Sequence, residues 1–229
     1  MPSGGICDHG VFDHGDFEAV ILAGGGSRRM NGADKPALEV GGVPMLVSVA
    51  RAATSAGARR LIVVGPERGG AVADGLKRLA PELSRGLVTV HESPEGSGPV
   101  PALRRGLAEV TAPWLALLAA DLPFLTGPWV TTLLGRAVAG LGGRGAVLGD
   151  AAGRPQWLAG CWRSKAVRDA LERYGGQSLH GLLAPLAPAL VKAPFPYGRG
   201  PALPPWLDCD DADALTAARA LAADPDGEL

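Results

Sequence analysis

The sequence predicts an α/β fold in which helices cover both faces of a mostly parallel sheet. Short, uniformly apolar segments alternate with segments whose apolar residues recur at helical spacing. A uniformly apolar segment is typical of a parallel strand buried on both faces, and repeated strand–helix units place such strands in parallel. At 229 residues, with 47% hydrophobic and 20% charged residues, the chain is long enough to bury this core as one domain.

The first half of the chain contains the clearest alternation. The predicted strands are Val20–Leu22, Leu61–Val64, Leu87–Val90 and Trp114–Ala119. One helix is predicted over Met45–Gly57, because its apolar residues lie on one face and Gly57 can end it. A second begins after Gly98-Pro99, and a third follows Thr126, which can cap it.

The second half is less regular. Strands are predicted over Ala146–Gly149 and Leu158–Trp162, around a turn at residues 153–155, and Ser164 is expected to cap the next helix. Residues 194–206 are rich in proline and predict a loop, and a last helix is predicted over Ala212–Ala222. Residues 1–16 predict a disordered tail, and 17–229 a single domain without an internal linker.

The segment after the first strand predicts a polyphosphate-binding loop. Leu22 and Ala23 lead into three glycines, Gly24, Gly25 and Gly26, whose backbone N–H groups can approach an anion without a Cβ in the way. The cations of this segment that could hold phosphate are Arg28, Arg29 and Lys35. Of the two arginines we expect Arg29 to face the site and Arg28 the solvent.

Two common nucleotide motifs are excluded by this spacing. A Walker loop ends in Gly-Lys-Ser or Gly-Lys-Thr, whereas Lys35 precedes Pro36. A dinucleotide fingerprint requires glycine where this chain has Arg29, because the helix packs closely on the strand there.

Asp121 is the strongest metal-ligand candidate. It ends a run of apolar or small residues, 116–120, so its carboxylate should be partly desolvated and therefore paired or metal-bound. Mg²⁺ prefers one or two carboxylates together with phosphate oxygens. Before the last helix, Asp210 or Asp211 can serve as the N-cap or as a metal ligand, and both roles can coexist. For the metal we favour Asp210 over Asp208.

The loop after the third strand, residues 91–99, could recognise a base or ribose. It is rich in Gly, Ser and Pro and precedes a helix. Glu92 could accept hydrogen bonds from the N1–H and N2 amine of guanine, or from a ribose, although an ordinary connecting loop would have a similar composition.

The net charge and the cysteines argue against a nucleic-acid-binding, membrane or secreted protein. The net charge of −1 gives no field that favours nucleic acid or an anionic membrane. Cys7, Cys161 and Cys209 are far apart and lack metal-site spacing, which favours a reducing, cytoplasmic setting. No segment has the length of a membrane span or the pattern of a secretory signal. The aspartates around Cys209 should raise its pKa.

The segment from Leu22 to Lys35, Leu-Ala-Gly-Gly-Gly-Ser-Arg-Arg-Met-Asn-Gly-Ala-Asp-Lys, resembles that of the sugar-nucleotide-type nucleotidyltransferases and looks most like molybdenum cofactor guanylyltransferase. The resemblance covers most of residues 18–222 and is also sharp at Gly98-Pro99 and at Ala119–Pro123. It implies a Rossmann-like, three-layer α/β/α fold. It also implies that Leu22, Ala23, Gly24 and Lys35 bind the nucleotide, that Asp121 binds Mg²⁺, and, approximately, that Glu92 contacts the nucleotide.

The reaction that this resemblance implies is the transfer of GMP from GTP to the phosphate of molybdopterin, with release of pyrophosphate. Lys35, Arg29 and Asp121 are then the expected catalytic residues. Alternatives that remain open are CTP with molybdopterin, GTP with a phospho-acid such as phospholactate, a catalytically silent nucleotide-binding domain, and a Rossmann oxidoreductase. The last is disfavoured by Arg29.

Overall fold

The computed structural model describes residues 16–24, 34–92, 94, 96–140, 143–192 and 203–223. The strands are β1 (Phe17–Leu22), β2 (Glu39–Val40), β3 (Val43–Pro44), β4 (Leu61–Val64), β5 (Leu87–Val90), β6 (Trp114–Ala119), β7 (Gly145–Gly149), β8 (Pro155–Arg163) and β9 (Ala189–Lys192). The helices are α1 (Met45–Ser55), α2 (Gly70–Leu79), α3 (Pro99–Leu107), α4 (Gly127–Ala139), α5 (Ser164–Arg173), α6 (Leu179–Leu183) and α7 (Ala212–Ala223).

In the described part of the chain, seven strands form the central sheet in the order β5-β4-β1-β6-β8-β7-β9. All neighbours pair in parallel except those of β8, which runs antiparallel to both β6 and β7. The chain moves from β1 outward to β4 and β5, then returns to place β6 on the other side of β1. The strand order therefore reverses between β1 and β6, which is where open α/β sheets bind ligands.

Helices cover both faces of this sheet. Helix α1 packs against α2 and α4 on one face, while α3 packs against α5 and α6 on the other. Each face has its own core of buried apolar side chains, because the central strands are buried on both sides. The predicted three-layer α/β/α fold with a mostly parallel sheet is confirmed.

A small third core attaches α7 beside the carboxyl ends of the central strands. Its buried residues come from β2, α1, the segment after β6, the segment before α7, and α7 itself, and they are Val40, Met45, Phe124, Cys209, Leu215 and Ala218. This packing fixes the start of α7, and with it the aspartates that precede the helix, near the end of β6.

The predicted strands and helices are present, with boundaries shifted by a few residues. The N-terminal caps of three helices can be compared with the predicted ones. Ser164 does not cap α5; it is the first helical residue, and its buried hydroxyl has no hydrogen-bond partner among the described residues. Thr126 occupies the N-cap position of α4, but its side chain makes no capping bond. At α7 the cap is Asp211, whose Oδ1 accepts from the Ala214 N–H at 2.8 Å.

Three elements were not predicted: α2, the β2–β3 hairpin and the edge strand β9. The proposed tail is described only at Asp16, and the predicted loop at 194–206 only from Leu203 onward. In the described part of the chain, no helix is both long and apolar enough to cross a membrane.

Candidate active site

The ends of β1 and β6 bring two of the predicted site segments together. Leu22 lies opposite Ala119 in the parallel register, and the Ala120 N–H donates to the Leu22 carbonyl at 3.1 Å. Ala23 and Asp121, which follow these strands, therefore emerge side by side at the point where the strand order reverses.

A cavity of about 320 Å³ opens at this edge, and we call it the central cavity. It lies within the size range of small-molecule sites. Its lining includes seven of the predicted site residues, which come from five separate stretches of the chain: Leu22, Ala23, Gly24, Lys35, Glu92, Asp121 and Asp210. The remaining two, Gly25 and Arg29, lie outside the described residues, as does Arg28.

Lys35 joins the two acidic segments. It begins a single turn of 3-10 helix, Lys35–Ala37. This turn follows the glycine-rich segment between Ala23 and Asp34, which we call the glycine loop. The Lys35 ammonium Nζ donates to Asp121 Oδ2 at 2.9 Å and to Asp210 Oδ1 at 2.8 Å. The side chains of Lys35 and Asp121 are only 16% and 19% exposed, whereas that of Asp210 is 56% exposed. The pair with Asp121 is therefore the better shielded from solvent.

The neighbouring charges at this site shift the pKa values of Lys35 and Asp208. Burial acts to lower the pKa of Lys35, but the hydrogen bonds that it donates to Asp210 and Asp121, together with their negative charges, outweigh burial and raise the pKa above its usual value. Asp208 forms no ion pair with the described residues. Burial, together with the charges of Asp210 and Asp121, raises the pKa of its carboxyl, although the charge of Lys35 acts weakly to lower it.

The donor set fits a divalent cation coordinated by few protein ligands. The carboxylates of Asp121 and Asp210 converge on one point, the ammonium of Lys35, from two different segments. Among the described residues, no group of three or more His, Cys, Asp or Glu is arranged to hold a metal ion. Two carboxylates with room for ligand oxygens suit Mg²⁺, which usually keeps waters and phosphate oxygens in its shell.

Glu92 has one satisfied and one unsatisfied carboxylate oxygen. The residue is 8% exposed, Oε1 accepts from the Gly96 N–H at 2.9 Å, and the buried Oε2 has no hydrogen-bond partner in the described part of the chain. A Cβ at Gly24 would lie 3.3 Å from Oε1, so glycine there leaves room for this carboxylate. Because a buried carboxylate oxygen without a donor is costly, Oε2 is suited to accept from a ligand N–H or O–H.

The sequence interpretation missed Arg68, in the loop after β4. Its guanidinium donates through Nη2 to the Ala23 carbonyl at 2.8 Å and through Nε and Nη2 to the Asp34 carboxylate at 2.7 to 2.9 Å. Ala23 and Asp34 lie at the two ends of the glycine loop, so one side chain ties both ends together. Only 7% of the Arg68 side chain is exposed. The sequence signal that could have identified Arg68 is its position in the loop after a predicted strand, β4.

The model of the MobA-like NTP transferase domain family matches residues 19–190. The chain belongs to this family. The match contains the first glycine-loop residues, Lys35, Glu92 and Asp121, and it ends before Asp210. The predicted family is therefore confirmed, and the site at the β1–β6 edge is the part of the MobA-like domain where several of its polar residues meet.

The curated relatives of this MobA-like domain share one name. A probable molybdenum cofactor guanylyltransferase of Natronomonas pharaonis is 32% identical over 54% of this chain and 58% of the relative. Another, from Synechococcus elongatus, is 38% identical over 48% of this chain and 53% of the relative. The chain thus spans little more than half the length of these relatives.

Solved structures of low sequence identity show the same fold. A nucleotidyl transferase from Methanothermobacter thermautotrophicus superposes with a TM-score of 0.69 at 19% identity, covering 91% of this chain and 98% of that one. Molybdopterin-guanine dinucleotide biosynthesis protein A from Archaeoglobus fulgidus superposes with a TM-score of 0.60 at 16% identity, covering 90% and 98%. The Rossmann-like nucleotidyltransferase architecture is confirmed.

Proposed function

We propose that this MobA-like protein transfers GMP from GTP to the phosphate of molybdopterin and releases pyrophosphate. The observation that carries the proposal is the position of Lys35, whose ammonium links Asp121 and Asp210 within the cavity that also contains Gly24. A cation, a carboxylate pair and a glycine-rich backbone at one strand edge are the parts that a magnesium triphosphate requires. The names of the curated relatives support the choice of guanine and of molybdopterin.

The nucleotide extends along the central cavity. Its triphosphate lies against the backbone of Ala23 and Gly24, and its guanine faces Glu92. The free Oε2 of Glu92 accepts from the guanine N1–H or N2 amine, which satisfies an oxygen that otherwise lacks a donor. A cytosine offers only its N4 amine to such an oxygen, so Glu92 favours guanine.

The reaction is an in-line substitution at the α-phosphorus. An oxygen of the acceptor phosphate forms a bond to this phosphorus, and the bond from the phosphorus to the oxygen of the β-phosphate breaks. The electron pair leaves with pyrophosphate. Because the acceptor phosphate is ionised near neutral pH, no general base is required, and rate enhancement comes from positioning and charge stabilisation.

Enzymes of the MobA-like family generally need a divalent metal. We assign Mg²⁺ to the carboxylates of Asp121 and Asp210, where it would supply charge neutralisation of the phosphates. Lys35 is protonated near neutral pH, because the ordinary pKa of a lysine lies well above 7 and its hydrogen bonds to Asp210 and Asp121 raise it further. With Asp121 and Asp210 holding the metal, the ammonium of Lys35 would be available to donate to phosphate oxygens. We also assign Arg29 as the cation that stabilises the negative charge of the leaving pyrophosphate.

Two related functions keep the same chemistry and change a substrate: CTP with molybdopterin, or GTP with phospholactate. A third, a catalytically silent nucleotide-binding domain, is disfavoured because Lys35 and Asp121 lie together in one cavity.

The test is a matrix of the four nucleoside triphosphates against molybdopterin and phospholactate, with Mg²⁺, in which pyrophosphate release is measured. We expect release with GTP and molybdopterin together, and none with either alone. If the protein prefers CTP to GTP, or phospholactate to molybdopterin, the preferred compound replaces that substrate in the proposal. Nucleotide binding without release under any combination would support the silent domain and contradict the proposal.

A further inference from the structure

A second cavity, of about 510 Å³, adjoins the central cavity, and we call it the side cavity. The two share Asp121, Asp210 and Leu158 in their linings, so they meet at the carboxylate pair. An acceptor for the proposed reaction must bring its phosphate to this junction from outside the nucleotide. The side cavity lies where the remainder of such an acceptor would be held, and its volume suits a small molecule.

One wall of the side cavity is aromatic. Trp157 on β8 and His180 on α6 both line it, with their ring centroids 5.5 Å apart and the rings at 69°. Behind Trp157 lies the fully buried Trp162, with centroids 6.4 Å apart and the rings inclined by only 24°. The half-buried indole of Trp157 is thus supported from the core and from one edge. A supported ring offers a rigid surface to a ligand.

The direction of Trp157 results from an irregularity in β8. Val147 pairs with Gly160, but the next residue, Leu148, pairs with Gln156, so residues 157–159 have no partners on β7. In a regular strand Trp157 and Trp162 would point to opposite faces, because they are an odd number of residues apart. The bulge instead places their rings together. Bulges beside active sites commonly redirect a side chain in this way.

The charged groups that line the side cavity are carboxylates, and its amide and hydroxyl groups can accept as well as donate hydrogen bonds. The polar lining includes Gln156, Asp208 and the carboxylate pair, and none of the described residues that line the cavity is Lys or Arg. Lys35 is already paired with Asp121 and Asp210 at the junction, so a phospho-carboxylic acid would place its own carboxylate near Asp208 with no described Lys or Arg in the lining to compensate it. A neutral ring with N–H donors would satisfy the carboxylates and could stack on Trp157.

The structure assigns Trp157, with His180 at its edge, as the residue that selects an acceptor carrying a flat heteroaromatic ring. This inference rests on the proposed function, since it describes the acceptor side of the same reaction. Trp157 contacts the ring of the acceptor and takes no part in bond formation, so its removal should raise the KM for the acceptor while kcat and the KM for GTP change little.

The kinetic test compares Trp157→Leu and Trp157→Phe with the unmodified protein, using molybdopterin as acceptor. Loss of a stacking partner should raise the acceptor KM about tenfold in Trp157→Leu, and the aromatic Trp157→Phe should restore most of the affinity. His180→Ala, at an exposed position, should raise the KM less. The matched control is Trp129→Leu, another half-buried tryptophan, on α4 and outside the lining of the cavity.

Equal acceptor KM values for Trp157→Leu and Trp129→Leu would overturn the inference. A rise in the KM for GTP matching that for molybdopterin would do so as well, because it would indicate general damage to the site. Thermal unfolding of both leucine variants shows whether each is folded. If Trp157→Leu is not folded, His180→Ala decides, because Trp157→Phe is expected to stay close to the unmodified protein. An unchanged acceptor KM in His180→Ala then contradicts the assignment.

A binding experiment separates this inference from the proposed function. Ligand-observed NMR with 6-hydroxymethylpterin, which has the ring but no phosphate, reports ring binding without any turnover. Contact signals that persist in Trp129→Leu and disappear in Trp157→Leu support the assignment even if no guanylyl transfer occurs. Equal signals in both variants, or none with the unmodified protein, contradict it even if transfer is observed.

Discussion

Lys35 and Asp121, 86 residues apart in sequence, are joined by a 2.9 Å ion pair at the carboxyl edge of the central sheet. Neither residue is on a strand. Lys35 is carried by a 3-10 turn after the glycine loop, and Asp121 lies two residues beyond the end of β6. Their contact connects the segment expected to bind phosphate with the segment expected to bind metal.

Removal of the Lys35 ammonium should reduce turnover strongly. In Lys35→Met we expect kcat for pyrophosphate release to fall at least about 10²-fold, because one preorganised electrostatic contact to the transition state is worth a few kcal/mol. The matched control is Lys165→Met, which removes an ammonium that is 79% exposed and paired with Asp169 on α5. A similar kcat in both variants would exclude Lys35 from the reaction.

Arg68 should act on the nucleotide through the loop that it closes. In Arg68→Met the two ends of the loop lose their shared partner, and kcat/KM for GTP should fall about 10²-fold, since a displacement of about 1 Å has that effect. The KM for the acceptor should change little. Arg68→Lys should restore little activity, because an ammonium cannot reproduce the fork that reaches Ala23 and Asp34 together.

The control for Arg68 is Arg105→Met on α3, which breaks only an i,i+4 pair with Glu109 at the surface. If Arg68→Lys has normal kinetics, or if Arg68→Met raises both KM values equally, the proposed action on the glycine loop is wrong.

Gly65 should be essential for the close approach of β4 to the start of the glycine loop. Its φ is +148°, and a Cβ would lie 2.8 Å from the Ala23 carbonyl carbon and from the Gly24 nitrogen. Gly65→Ala should lower the free energy of unfolding by about 1 to 3 kcal/mol, since backbone must move to admit the methyl group. Urea unfolding measures this. Gly175→Ala, where a Cβ would meet no atom within 4 Å, should change it little.

The described cysteines should be inert in the folded protein. Burial raises the pKa of both thiols; for Cys209 it reaches about 11, and the charge of Asp121 contributes to that rise. The expectation from the neighbouring aspartates had the correct direction, but burial is the larger cause. In Cys7→Ser, a thiol reagent at pH 7 should label neither Cys161 nor Cys209 until denaturant is added. Fast labelling of the native protein would contradict the burial of these side chains.

Local sequence patterns were sufficient to predict the central strands and the position of Asp121 at the edge of the sheet. The run Trp114–Ala119 has a uniformly buried pattern, and a carboxylate two residues beyond it had to lie at the ligand-binding edge. Helix α2 was missed although Val72, Leu76 and Leu79 have helical spacing, because Gly69 and Gly70 at its start suggest a loop.

The remainder of the site depends on contacts that no local pattern contains. The choice of Asp210 as the second partner of Lys35 follows from the packing of α7 against the third core, 175 residues further along the chain. The direction of Trp157 follows from the pairing of β8 with β7, and a regular alternation would have placed the ring on the other face.

The most direct measurement of the central claim is a crystal structure of the protein with Mg²⁺ and the α,β-methylene analogue of GTP, which cannot release pyrophosphate. We predict the triphosphate between the Gly24 backbone, Lys35 and Asp121, with the guanine beside Glu92. The claim would be contradicted by an analogue bound away from the β1–β6 edge, or by phosphates that contact neither Lys35 nor a metal held by Asp121.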